Sequence, residues 1–296
     1  MIPSSNRVTV CICTYKRPHL LARLLTALEE QEPSNLFSYS IVVVDNDHMG
    51  SAETTVQDFR SRSRMAASYH IEPEQNIALA RNTAIAHATG DAIAFIDDDE
   101  IPGPRWLLEL YNARDEFRAD GVLGPVIPVY EVSPPRWVVR GKFHERPTHK
   151  TGELLHWTKT RTGNVLLGRD LFAVPENMFR REFGSGGEDR DFFKRMIATG
   201  RRFVWCAEAP VYESVTADRC TRSSMLKRAL LRGQLPHFTL ADFVRSLLAV
   251  PLYTAALPIL LIVGHHLFMK YLVKDCDHIG RLLSFLGVSL IKERYV

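Results

Sequence analysis

Four consecutive carboxylates, Asp97, Asp98, Asp99 and Glu100, follow directly on an apolar run from Ala92 to Ile96. The run reads as a short buried strand. Carboxylates massed at the end of such a strand repel one another, and burial raises that cost. A bound cation would remove the conflict. Asp97 and Asp99 stand two apart, so an extended chain would point both to one side. Such a pair suits a hard divalent ion carrying a phosphate, because Mg²⁺ takes one or two carboxylates together with substrate oxygens. A solvated acidic turn would show the same letters, so the rest of the chain must separate the two readings.

A second cluster lies far downstream, Gly184-Ser185-Gly186-Gly187-Glu188-Asp189-Arg190-Asp191. Glycines permit a loop of close backbone approach. The helix that follows runs to about Ala198, with Phe192, Phe193, Met196 and Ile197 as its apolar face and Gly200 as its C-terminal cap. Glu188 and Asp189 therefore lie at a helix N-terminus. One acidic residue suffices for capping and dipole complementarity. Three beside a glycine run also fit a general base held over a site.

The elements that must position these groups alternate. Val8 to Cys13, Ile41 to Val44, Ser68 to Ile71 and the run before Asp97 read as strands. Leu20 to Leu28, Ala52 to Arg60 and Asn76 to Ala88 read as helices between them. Fully apolar strands in such an order imply an α/β fold, with a mostly parallel sheet covered on both faces. Ligands in such sheets bind beyond the carboxyl ends of the strands. Thr14, Asp45 and Asp97 all stand just past such ends. Asp45 could accept from a base N–H, and Arg81 could reach a base or a phosphate. A turn-forming Asp and an exposed helical Arg are the competing readings. Gly121 to Arg161, with Pro125, Pro128, Pro134, Pro135, Trp137 and Trp157, breaks the rhythm, and Thr162 to Leu167 returns as a strand. The broken stretch is either a long connection or a region that meets an acceptor through aromatic faces.

The length of 296 residues suits one large or two small domains. A formal net charge of +3 implies no nucleic-acid partner. The five cysteines are odd in number and lack zinc-finger spacing, so reduced thiols in a cytosolic setting are expected. Met1 to Arg7 is short and polar, and no signal peptide is expected before the first strand. The chain has neither the dinucleotide GxGxxG nor the P-loop GxxxxGK[ST], which argues against those two classes.

Several pieces taken together resemble the inverting family-2 glycosyltransferases of GT-A fold. They are Val-Thr-Val-Cys-Ile-Cys-Thr14-Tyr15-Lys-Arg17-Pro, Val-Val-Val-Asp45-Asn, Asn76-Ile-Ala-Leu-Ala-Arg81-Asn82, Phe95-Ile-Asp-Asp-Asp-Glu, Thr162-Gly-Asn164 and Gly186-Gly-Glu188-Asp189. Each is weak alone; order and spacing make the set specific, from Val8 to about Gln234. Within the family the chain is most similar to succinoglycan-type exopolysaccharide glucosyltransferases. The resemblance implies that Thr14, Tyr15, Asp45 and Arg81 hold the uridine of a UDP-sugar, with Arg17, Asn76, Asp97 and Asp98 in the same nucleotide site. Asp97 and Asp99 match the DXD signature for a divalent metal, Mn²⁺ or Mg²⁺. Asp189 matches the catalytic base, with Glu188 beside it. Asn164, Arg219 and Arg228 are candidates for the acceptor or the diphosphate. Processive relatives carry Gln-x-x-Arg-Trp; here Gln234 precedes Leu-Pro-His-Phe, which argues for addition of a single sugar.

Ser246 to Met269 contains no Asp, Glu, Lys or Arg. An uncharged run of that length fits a membrane span better than a core helix. Gly280 to Ile291 is a second, shorter patch. Basic residues stand on both sides: Arg228, Arg232 and Arg245 before the run, Lys270, Lys274, Arg281, Lys292 and Arg294 after it. Cytoplasmic flanks favour Lys and Arg. A dipping or hairpin arrangement with both flanks cytosolic is therefore expected. The expected domains are a GT-A catalytic domain over 1–238 (nucleotide half 1–120, acceptor half 121–238) and membrane-associated helices over 239–296. The expected function is transfer of one sugar, UDP-glucose being the foremost donor, to a lipid-linked (polyprenyl diphosphate) glycan at the cytoplasmic face of the cell membrane. A sugar nucleotidyltransferase and a non-catalytic nucleotide-sugar-binding protein are the alternatives.

Overall fold

The computed structural model describes residues 6–184, 186–234 and 239–288. The expectations for the N-terminal residues before Asn6, for Ser185, for the Leu-Pro-His-Phe stretch after Gln234, and for Lys292, Arg294 and the end of the second apolar patch lie outside the described residues. The elements run β1 (Arg7–Thr14), α1 (Pro18–Glu29), β2 (Ser38–Asp45), α2 (Glu53–Arg62), β3 (Ala67–Ile71), α3 (Ile77–His87), β4 (Ala92–Ile96), β5 (Glu100–Pro102), α4 (Trp106–Glu116), β6 (Gly121–Leu123) and β7 (Val126–Tyr130). They continue as α5 (Arg136–Gly141), β8 (Asn164–Gly168), α6 (Glu188–Ala198), β9 (Phe203–Trp205), β10 (Val211–Val215), α7 (Arg222–Gly233), α8 (Leu240–Val263) and α9 (His265–Phe285).

Two compact units emerge: residues 1–127 with 146–213, and residues 128–145 with 214–296. The first holds a seven-stranded sheet in the order β3-β2-β1-β4-β8-β6-β9. β1 pairs parallel with β2 and with β4, β2 pairs parallel with β3, and β6 with β9. β8 runs antiparallel between β4 and β6. The sheet is therefore mixed and mostly parallel, the α/β architecture expected of a GT-A fold. Successive residues of a strand face opposite layers. Val8, Val10 and Ile12 of β1 join Leu21, Leu24, Leu25 and Leu28 of α1 in one core layer. Cys11 of the same strand joins Ala80 and Ala84 of α3, with Phe192 and Phe193 of α6, in the other. Both faces are covered, which is why these strands read as unbroken apolar runs.

The second unit contains α5, α7, α8 and α9 with a small core of Val138, Val215, Cys220 and Met225. The sequence boundary expected at 238 differs from this division. α7 belongs with α9: the Arg232 guanidinium donates to both oxygens of Asp277 at 3.1 and 3.3 Å. Gly233 and Gly280 bring the two backbones together, so that a Cβ on Gly233 would lie 2.8 Å from the Gly280 Cα.

α8 starts in a capping box, with Thr239 and Asp242 exchanging hydrogen bonds. It ends at Gly264, and α9 returns antiparallel. The Phe243 ring meets Phe285, Ser246 meets His278, and Tyr253 meets Tyr271. The uncharged run expected to Met269 thus breaks at Gly264 into two helices. The most apolar 18-residue window of α8 has a mean hydropathy of 2.2 and is only 6% buried, so the helix is long and apolar enough to cross a membrane by length and composition.

Candidate functional site

The acidic stretch lies in the first unit, at the carboxyl end of β4. It does not continue as extended chain. The Glu100 N–H donates to the Asp97 carbonyl at 3.1 Å, so Asp97 to Glu100 is a tight turn leading into β5. The expectation that Asp97 and Asp99 share a side by strand alternation is corrected: the turn, not a pleat, sets their directions. The Asp97 side chain is 47% exposed, that of Asp99 14% and that of Asp98 6%. Asp98 is held from two elements. The Thr14 hydroxyl donates to it at 2.7 Å, and the Arg17 guanidinium lies 3.2 Å from its other oxygen. Arg17 also reaches Asp99 at 3.5 Å. Thr14, Arg17 and Asp98, expected in the nucleotide site, join the loop after β1 to the turn after β4 through their side chains. Tyr15 stands half-buried between them, with the Lys16 ammonium 5.1 Å from its ring centre.

Asp45 is fully buried at the end of β2. Its carboxylate accepts from the Asp47 and Ala52 N–H groups at 3.0 and 2.7 Å, from the Tyr69 hydroxyl at 3.0 Å and from Ser51. These bonds close the turn into α2, and no carboxylate surface is left for a base. Asn76 is likewise engaged as the N-cap of α3. Its side chain accepts from the Leu79 N–H at 3.2 Å and donates to the Arg181 carbonyl at 3.0 Å. Asn164 opens β8, opposite Ile96 in the pairing register. Its carbonyl oxygen accepts from the Trp106 indole at 2.7 Å, and its amide donates to the carbonyls of Pro125 and Ala209 at 3.0 and 2.8 Å. The amide ties the start of β8 to the segments after β6 and β9, and both of its N–H groups are engaged. Arg219 and Arg228 belong to the second unit.

Arg81 is the link at the centre of the site. It is 7% exposed, on α3, and its guanidinium pairs in close contact with Glu188 on α6 while standing 3.7 Å from Asp97. Glu188 is buried, and its second carboxylate oxygen has no hydrogen-bond partner among the described residues. Asp189, one residue on, is partly exposed and makes no ion pair among the described residues; its carboxylate accepts only the Arg190 N–H, at 2.6 Å. The two acidic residues of the glycine-rich motif therefore do different things. Glu188 anchors α6 to Arg81, and Asp189 is left open. Gly187, the residue before α6, takes φ of 91°, a left-handed value that disfavours side chains and admits this sharp entry.

The charges show whether a divalent ion fits. Burial, then Asp97, Asp98 and Glu213, push the Asp99 carboxyl up to about 7, against the opposing charge of Arg17. Glu100 is fully buried and raised well above the usual carboxylate range, first by burial and then by Asp97. Its Oε1 has no hydrogen-bond partner among the described residues. A side chain at Gly163 would press on Asp97, its Cβ 2.8 Å from Oδ2. Excess negative charge beside a half-exposed carboxylate fits a cation. Among the described residues, no three His, Cys, Asp or Glu groups gather into a cage of their own. A pair of carboxylates completed by ligand oxygens is the arrangement this leaves.

Two participants were invisible to sequence reasoning. Glu213 of β10 faces Glu100 of β5 in antiparallel register and pairs with Arg146 at 2.9 Å. β10 is a five-residue strand, and nothing near Glu213 in the sequence signals the acidic turn it meets.

The family model described as Glycosyl transferase family 2 matches residues 9–183. The succinoglycan biosynthesis protein ExoM of Rhizobium meliloti (strain 1021) is 35% identical over 247 residues, 81% of this chain and 77% of that protein. The structure of S. aureus TarS 1–349 in complex with UDP superposes with a TM-score of 0.54 at 17% identity, covering 96% of this chain and 93% of that one. GalNAc-T7 with UDP, GalNAc and Mn²⁺ gives 0.55 at 13% identity, covering 77% of this chain and 48% of that one. The structural likenesses show the fold. With the family match and the ExoM identity, the chain belongs to glycosyl transferase family 2.

Proposed function

We propose that this family-2 chain is an inverting, non-processive transferase. It moves one sugar from a UDP-sugar, UDP-glucose foremost, to a lipid-linked polyprenyl diphosphate glycan in surface-polysaccharide assembly. The carrying observation is the pair of open carboxylates, Asp97 after β4 and Asp189 on α6, joined through the buried Arg81–Glu188 contact. ExoM, named for succinoglycan biosynthesis, supports the pathway class. The TarS structures with UDP and with UDP-GlcNAc support the donor class.

The acceptor hydroxyl attacks the anomeric carbon from the face opposite UDP. The new O–C bond forms as the bond to the diphosphate oxygen breaks, and the hydroxyl proton passes to Asp189. Asp97 and Asp99 would hold the divalent ion, which offsets charge growing on the leaving diphosphate; the Mn²⁺ in the GalNAc-T7 structure supports that choice. The side chains of Thr14 and Asp45 are engaged within the protein, so the Tyr15 ring and the backbone of the Thr14–Arg17 loop carry the uridine. Arg81 and Glu188 are positioning residues that hold α6 against the donor end of β4. α8 contacts the membrane at its cytoplasmic face. α9 carries Lys270, Lys274, Asp275, Asp277 and Arg281 and is no second span, so a dipping α8 keeps both flanks on one side.

A screen of UDP-sugars with and without Mn²⁺ or Mg²⁺ tests the reading. Metal-dependent UDP release that rises with a glycolipid acceptor is the expected result. Pyrophosphate release identifies a nucleotidyltransferase, and binding without turnover identifies a sugar-nucleotide-binding protein.

A further inference from the structure

A second pocket opens in the first unit, with Asn164 among its lining residues. It occupies about 90 Å³ between the ends of β6, β8 and β9. The pairing of Ile96 with Asn164 and of Leu123 with Val165 and Trp205 places it at the same end of the strands as Asp97, displaced toward β9. Its polar wall is cationic: Arg146, Lys159 and Arg161, with His149 beside them, and no carboxylate among the lining residues.

Three of these groups have carboxylate partners. Arg146 pairs with Glu213 at 2.9 Å, and His149 and Lys159 share Glu153 at 3.0 and 3.2 Å. Arg161 makes no ion pair among the described residues, although the charge of Asp189 acts on it. An independent feature lines the same pocket. Trp205 is 6% exposed, and its indole N–H is buried with no hydrogen-bond acceptor among the described residues. A buried donor left without an acceptor is costly. A guanidinium beside it presents a planar fork that matches a carboxylate or phosphate.

We infer that this pocket is an acceptor subsite, in which Arg161 and the Trp205 indole bind one anionic group, phosphate or carboxylate, carried by the acceptor. The inference rests on the transferase reading, and it places the acceptor's charge at Arg161, on which the charge of Asp189 acts. Arg161 binds the anion, Arg146 and Lys159 add field, and Asn164 acts only as the floor that holds the pocket's shape.

The test uses the full chain labelled with ¹⁵N at tryptophan, without added metal or donor. Of the four indole signals, Trp205→Phe assigns one. Inorganic phosphate and acetate are titrated separately. A saturable shift of the Trp205 signal with phosphate marks a phosphate-bearing acceptor, and one with acetate marks an acidic sugar. Arg161→Gln should weaken the effective anion at least tenfold, and Arg161→Lys should recover part of it. If Trp205→Phe does not fold, calorimetric titration of phosphate and acetate into wild-type and Arg161→Gln chains reads the same constants. No saturable binding of either anion, or binding that is equal in Arg161→Gln, overturns the inference. UDP release by the wild-type chain in the same preparations is read separately; its absence overturns the transferase reading and leaves the anion result standing on its own.

Discussion

The two halves of the seven-stranded sheet treat polar groups in opposite ways. On the β3-β2-β1-β4 side, most side chains past the strand ends are engaged by the protein: Asp45 by the turn into α2, Asp98 by Thr14 and Arg17, Asn76 by α3. Asp97 alone of the acidic turn is about half exposed. On the β8-β6-β9 side the wall is cationic, and Arg161 has no ion pair among the described residues. The difference teaches that residue type at a strand end locates a site without saying which side chain faces the ligand. A bound molecule meets whatever the protein has left unengaged.

The largest effect should come from the open end of the engaged half. Asp99→Asn should abolish turnover in a folded chain, and chelation of divalent ions should do the same reversibly, both read by UDP release. Near wild-type, metal-dependent activity in Asp99→Asn would break the assignment. Next is the carboxylate left open on α6. Asp189→Asn should lower kcat by about 10²–10⁴, the range for losing general acid–base catalysis, with UDP affinity unchanged. A collapse of UDP binding would move Asp189 to the donor site. Asn164→Ala should act on stability instead. It strands the Trp106 indole and two carbonyls, at about 1–3 kcal/mol for each buried group left unsatisfied. Denaturant unfolding should show that loss, while UDP affinity per folded molecule stays within a few-fold. The smallest effect is expected from Thr14→Val. Losing one hydrogen bond to Asp98 costs about 1 kcal/mol. A rise of UDP Kd beyond tenfold would return the Thr14 hydroxyl to the nucleotide site.

Much of this architecture could be read from the letters. β1, β2, β4 and α3 match their apolar patterns to within a few residues, because strands covered on both faces must be apolar throughout. Pairing choices were not legible. β5, β6 and β9 have three residues each, too few for any periodicity; β5 pairs with β10 and so meets Glu213, which holds Arg146, and β9 carries Trp205. α4 was missed because its buried Trp106, Leu107, Leu110 and Ala113 are mixed with charges. The positions of the candidate residues were readable, and their engagement was not. Asp45 and Asp97 both follow apolar strands, yet one is sealed by backbone N–H groups and the other is half exposed.

The crossing of α7 over α9 has a consequence for how this sequence can drift. Gly233 and Gly280 touch through their backbones, and a methyl group on either would meet the other helix's main chain rather than a movable side chain. The two positions therefore form one constraint. Relief cannot come from a compensating change at the partner, since glycine has nothing left to remove. A lone alanine at either place would wedge the helices apart and lengthen the neighbouring Arg232–Asp277 contact. Among descendants of this chain both glycines should persist together, or the crossing should be rebuilt at a different spacing.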